Sequence, residues 1–296
     1  MIKKILYSIF ILFSILTAFS FWMSPSFMGL IPGGKETPDK GITKIYFDTE
    51  KELNIVIPYS DISENKELKS LKEVFKFDTL LLNTNDEYEK IKNIQSWVHS
   101  RLEHDGDNVP EESSAMYILK EAEKGQRFRC VEYSTVTTAC LQSLGYIVRG
   151  LWLKTKDVDV VNSGAGHVVN EIYLDDLKKW FFIDPQFDII VLKNGIPLNA
   201  VEFQSAIANN EQIEIINPNK EISDEEYIEW ISPYLFYFTT SLNKGKISNW
   251  DRVIGTKKQL TLVPKGHKPP TYFQRLFRIR TNYKTNSISD FYPIVE

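Results

Sequence analysis

Apolar positions in the middle of the chain recur first with a helical period and then with an extended one. Across residues 89–103, Ile91, Ile94, Trp97, Val98 and Leu102 fall on one side with charges opposite, which predicts an amphipathic helix ending near Asp105-Gly106. Met116, Ile118, Leu119 and Ala122 predict a second helix within residues 113–123, stopped by Gly125. A third begins at Cys130: Tyr133, Val136, Thr137, Cys140, Leu141 and Leu144 recur at i, i+3, i+4, i+7, i+8 and i+11, and Gly145 stands where a helix-closing glycine belongs.

Past Gly145 the side chains become β-branched and aromatic. Residues 146–153, 167–174 and 180–183 read as strands, with a turn over 175–179. A tight loop at Leu177-Lys178 sets Asp184 roughly opposite Glu171, about four residues from the level of His167. Asn194-Gly195, between the apolar run 189–192 and Ile196, signals a further hairpin. Helices followed by hairpin-linked strands make the fold class α+β, with the Cys130 helix packed on an antiparallel sheet. Flanking this core, residues 53–58 read as a strand, 199–208 as a helix, and 235–240 and 259–263 as strands. Ser223-Asp224-Glu225-Glu226 is a capping box introducing a helix through Trp230 and Ile231.

The N-terminus is of another kind. Lys3 and Lys4 precede a charge-free stretch over residues 5–34, apolar over 5–13 and again near 19–23. A lysine pair before an apolar run reads as an export signal with its positive end in the cytoplasm. Ala18-Phe19-Ser20 is a fair cleavage site. Uncleaved, residues 5–23 nearly reach the ~20 residues of a transmembrane helix and would tether the domain to the membrane. The organisation expected is therefore a signal peptide or membrane anchor at 1–34, a linker and N-terminal extension at 35–85, a core at 86–198, and a C-terminal extension at 199–296 without a readable motif.

Composition narrows the chemistry. The 296 residues carry a formal net charge of -4, so no electrostatic footprint for nucleic acid is visible. The two cysteines cannot build a disulfide framework. Ten positions apart on one helix, Cys130 and Cys140 stand about 15 Å apart along its axis and cannot bond to each other. Cys140, in mid-stripe, reads as a small core hydrophobe. There is no phosphate loop, dinucleotide fingerprint or Gly-x-Ser-x-Gly, and no close-spaced metal-ligand pair, so neither cofactor nor metal is expected.

What remains is Cys130, His167 and Asp184: a thiol at a helix start, an imidazole heading a strand after Gly164 and Gly166, and a carboxylate closing the next strand before Pro185. These are the parts of a cysteine nucleophile, its base and the group that orients the base. A cysteine attacks as thiolate, which a helix N-terminus and a contacting imidazolium both favour. The backbone N–H of Cys130 would serve as an oxyanion donor. Glu171 and Asp188 are alternatives to Asp184, while His99, His104 and His267 read as surface histidines.

The flanking residues resemble the transglutaminase-like superfamily. The resemblance rests on Trp97-Val98, then Arg129-Cys130-Val131-Glu132-Tyr133-Ser134 and Leu144-Gly145-Tyr146. It continues through Gly166-His167-Val168-Val169-Asn170-Glu171-Ile172-Tyr173 and Trp180-Phe181-Phe182-Ile183-Asp184-Pro185, and covers about residues 89–188. It implies a papain-like core in which Cys130, His167 and Asp184 match nucleophile, base and orienter, with a peptide or protein substrate. Two departures stand out. Arg129 precedes the cysteine where the family has a small residue. For the upstream glutamine or aromatic that often helps hold the oxyanion, Gln126 is the nearest candidate here. The function expected is an exported cysteine-dependent acyl-transfer enzyme, a peptidase or transglutaminase. The alternative is a catalytically idle domain serving as envelope scaffold or peptide binder.

Overall fold

The computed structural model describes residues 34–53, 65–81, 84–242, 258–279 and 281–295. The expected strand at 53–58 falls almost wholly outside these residues, as does the apolar N-terminal segment. The expectation of a transmembrane helix is corrected: no helix among the described residues is long and apolar enough to cross a membrane.

The described residues divide into two compact units, one within 34–39, 157–165 and 270–279, the other within 40–156, 166–269 and 281–295. In the first, Lys35 bridges Val161, and Asp159 Oδ1 accepts from the backbone N–H groups of Thr271 and Tyr272. The second holds helices α1 (Lys66–Phe75), α2 (Phe77–Leu80), α3 (Glu87–His99), α4 (Ala115–Ala122) and α5 (Cys130–Ser143). Strands β1 (Val148–Lys154), β2 (Gly166–Leu174), β3 (Lys179–Asp184), β4 (Ile189–Lys193) and β5 (Ile196–Pro197) follow, then α6 (Ala200–Ala208), β6 (Glu214–Ile216) and α7 (Asp224–Ile231). A 3-10 turn, Ser232–Tyr234, leads to β7 (Tyr237–Ser241) and β8 (Gln259–Leu262). The short hairpin β9 (Tyr272–Phe273) and β10 (Phe277–Arg278) belongs to the first unit; β11 (Tyr283–Thr285) and α8 (Ile288–Phe291) complete the second.

The fold is mixed α+β, with the Cys130 helix on a sheet ordered β11-β8-β7-β1-β2-β3-β4-β5, and β6 also pairing with β4. The sheet is not wholly antiparallel as expected, because β11 runs parallel to β8. The chain between those strands leaves to form β9–β10, which gives it the crossover length a parallel pair requires. Asn194 and Gly195 take φ values of 53° and 75°, the positive pair that a two-residue hairpin needs.

Alternate residues of the central strands enter two cores. Ile172, Leu174, Phe181, Ile183, Ile190 and Leu192 pack with Val136, Cys140 and Leu141 of α5 and the buried residues of α1, α3 and α4. Val169, Phe182, Ile189 and Val191 pack with Phe203 of α6, Tyr227 of α7, Phe238, Leu260 and Phe291. Burial on both faces explains why residues 180–183 and 189–192 are unbroken apolar runs rather than alternating ones.

Helix α5 is closed and anchored by specific bonds. Gly145 takes φ 91°. It donates to Gln142 O at 3.0 Å, and Tyr146 donates to Leu141 O at 3.1 Å, which is a Schellman ending. Ser134 Oγ donates to Val169 O at 3.1 Å, and Asn170 Nδ2 to Ser134 O at 3.2 Å and Thr138 Oγ1 at 2.8 Å, fixing the helix against β2. The preceding α3 ends earlier than its periodicity predicts, at His99. Residues beyond it pair instead with the segment before Cys130: Phe128 donates to Glu103 O at 2.7 Å and Asp105 to Phe128 O at 2.8 Å.

Candidate active site

Cys130 is the first residue of α5 and is half-buried, so its N–H has no acceptor within the helix. Glu132 closes that end by accepting from the Arg129 backbone N–H at 3.1 Å. The Arg129 guanidinium lies along the same carboxylate, with Nε to Oε2 at 3.1 Å and Nη2 to Oε1 at 2.7 Å. The arginine that departs from the family pattern is thus folded onto its own helix as a bidentate pair. Cys140 is fully buried, and burial alone pushes its thiol well above the ordinary range.

His167 Nε2 and Asp184 Oδ2 lie 2.8 Å apart, with the histidine 3% and the aspartate 0% exposed. The register expected from a two-residue loop is wrong. Leu174 pairs with Lys179, leaving a four-residue loop, and Glu171 pairs with Phe182 rather than Asp184. Continuing that register sets Asp184 level with Val169, two residues from His167 on the same face, a diagonal separation of about 7–8 Å that the two side chains bridge. Glu171 is occupied elsewhere, by Arg149 at 2.6 Å. Asp188 accepts from Gln95 and Ser96, each at 3.0 Å, and from Asn219 at 2.9 Å.

After Asp184, the group that acts most strongly on the imidazole is the Cys130 thiol. Since Nε2 is engaged by Asp184, Nδ1 is the nitrogen left for sulfur. Burial lowers the imidazole's affinity for a proton, but Asp184, by charge and hydrogen bond, and Cys130 after it, outweigh burial and raise it to about 10. The arrangement favours the imidazolium form of His167.

Gln126 does not join the group: its side chain is exposed, and its backbone N–H donates to Glu121 O at 3.0 Å. His99, expected at the surface, is buried, with Nδ1 3.1 Å from Gln186 O and Nε2 3.3 Å from Glu221. It lies one turn beyond Gln95, on the inner face of α3 toward the same loop. His104 and His267 are exposed as expected. Partial desolvation, and next the charge of His167, push the His104 imidazole below its ordinary value.

Three residues of the C-terminal third complete the surroundings. Tyr227 O–H donates to Asp184 Oδ2 at 3.0 Å. Trp230 meets the His167 ring at 4.8 Å and 79°, and Tyr234 lies 6.1 Å from it, ring centre to ring centre. Burial, and next the charge of Cys130, push the Tyr234 phenol above its ordinary value. The i, i+3, i+7 spacing of these aromatics behind the Ser223 capping box was the available signal for a helix face turned inward. Among the described residues no group of three or more His, Cys, Asp or Glu side chains is placed to hold a metal ion.

Residues 78–185 match the family model described as the transglutaminase-like superfamily. No curated protein matches the chain. Among solved structures, one described as a candidate cysteine protease from Cytophaga hutchinsonii overlaps it at 13% identity and a TM-score of 0.34, covering 60% of this chain. This chain spans 62% of that structure's length. The matched segment takes in Cys130, His167 and Asp184.

Proposed function

We propose that this chain is an exported cysteine-dependent acyl-transfer enzyme acting on amide bonds of peptides or proteins. The observation that supports the reading is the buried His167–Asp184 pair, 2.8 Å apart, whose imidazole also responds to the thiol heading α5. The lysine pair and apolar run at residues 3–23 support export.

In this reading the Cys130 thiolate attacks the amide carbonyl carbon, and the electron pair of the C=O bond moves to oxygen. The N–H of Cys130, aimed out of the helix end, stabilises that oxyanion. The imidazolium of His167 gives its proton to the departing amine as the C–N bond breaks, leaving a thioester on sulfur. Water or a second amine then attacks the thioester, His167 takes the attacker's proton, and the thiolate leaves to re-form the ion pair. Asp184 holds the ring so that the same nitrogen serves both half-reactions. Water as acceptor gives hydrolysis and an amine gives cross-linking.

The test is labelling of the purified chain by a peptide bearing a thiol-reactive acyl group. Labelling on Cys130 that is saturable by unlabelled peptide and lost in Cys130→Ala is the expected result. A thiol that alkylates at about pH 6 no faster than a small free thiol would overturn the reading in favour of a binding domain.

A further inference from the structure

The Asp184 carboxylate receives three hydrogen bonds. Oδ1 accepts the Gln186 backbone N–H at 3.1 Å, while Oδ2 accepts both from His167 Nε2 at 2.8 Å and from the Tyr227 O–H at 3.0 Å. Tyr227 is 0% exposed, and its phenol has no other hydrogen bond in the described structure. Phenylalanine would fill the same space between Phe187 and Trp230 without the cost of burying a hydroxyl. The oxygen it binds is the one that holds the histidine. Residues 223–234, which supply it, lie outside the 78–185 segment that matches the family.

We propose that Tyr227 is a positioning residue for the Cys130–His167 pair, its O–H fixing the rotation of the Asp184 carboxylate and sharing the negative charge of Oδ2. The inference rests on the acyl-transfer reading of Cys130 and extends it. Without the phenol the carboxylate keeps a single anchor at Oδ1 besides the histidine itself. Two donors on one oxygen also compete, because each draws on the same charge, so Tyr227 loosens the hold of Asp184 on the imidazolium. Burial, and then the Asp184 charge, keep the phenol protonated well beyond its ordinary range, so it remains a donor throughout. The titratable groups that act on the pair are Asp184 from β3, His104 from the segment after α3 and Tyr234 from the 3-10 turn, while Tyr133, one turn past Cys130, acts on Asp184.

The experiment measures the rate of Cys130 alkylation by iodoacetamide against pH in the full chain, with Cys130→Ala as blank. Tyr227→Phe is expected to move the alkaline step, where the imidazolium is lost, upward by about half a pH unit. A ring-fluorinated tyrosine at position 227, a stronger donor, moves it downward and carries the test if Tyr227→Phe fails to fold. Superimposable profiles in wild type and both variants, with wild type still fast at about pH 6, overturn the role of Tyr227 and leave the Cys130 reading intact. A slow wild type at that pH instead overturns the reading of Cys130 itself, and this proposal with it.

Discussion

The two faces of the central sheet are made by the same strands, yet they are composed differently. The face under α5 is aliphatic and aromatic, with Asn170 tying sheet to helix. The opposite face carries a chain of buried polar groups from His167 and Asp184 to Glu171 and Arg149. There Arg149 Nη2 meets Glu171 at 2.6 Å, and its Nη1 donates to Phe291 O at 2.7 Å. The guanidinium is boxed by Trp180, Phe291 and Tyr292 at 4.3, 4.6 and 4.8 Å. Glu171 further accepts from Tyr292 O–H at 2.8 Å and from the first N–H of α6 at 3.0 Å. Both faces bury apolar volume, but the second adds directed bonds between buried charges, so the two should fail in different ways.

The largest loss is expected on the polar face. Arg149→Met leaves the Glu171 charge buried without its partner, which costs about 3–5 kcal/mol in urea unfolding, and adding Glu171→Gln, which removes the charge but keeps an oxygen for Tyr292 and Ala200, recovers most of that loss. If the single variant is nearly neutral, the pair is not what holds that face. Next, Ile172→Ala on the aliphatic face opens a cavity worth about 2–5 kcal/mol. Alkylation of Cys130 should stay within about twofold, because α5 keeps its bonds to β2.

A smaller, pH-dependent effect belongs to Asp184→Asn. The His167 imidazole is raised from 6.5 to about 10. A raised histidine contributes stability that is full below the unfolded value and is lost as pH rises through the folded one. The stability gap between wild type and Asp184→Asn should therefore be widest below about pH 6.5 and shrink toward about pH 10; a constant gap would separate the pair from any proton linkage. The smallest effect is expected for Arg129→Ala. Its i,i+3 pair with Glu132 is partly exposed, so stability falls by about 1 kcal/mol or less, and Cys130 alkylation should change less than about threefold. A larger change would mean that the guanidinium shapes the approach to sulfur.

This contrast also separates what sequence made legible. The stripe from Tyr133 to Leu144 located α5 because volume repeats with a fixed period, and the position of Cys130 at its start followed. The Asn194-Gly195 turn and the Ser223 cap were readable for the same local reason. Pairing across strands was not, since it depends on a loop whose length the period does not report: two residues were assumed where four turn the chain. Tyr227 and Trp230 lay hidden because their partners are some forty to sixty residues away. Buried His99 looked like any polar residue at a helix end, where only tertiary contacts reveal the burial.

The loop Asp175–Lys178 gives surface architecture an unusual weight. Insertions and deletions in exposed turns are ordinarily the changes a fold absorbs most easily. A turn confined to Leu177-Lys178 would instead pair Asp176 with Lys179 and slide β3 by two positions against β2, about 6.8 Å at the antiparallel rise per residue, carrying Asp184 away from His167. The pair of residues that closes this turn is then what brings the Asp184 carboxylate to the His167 ring.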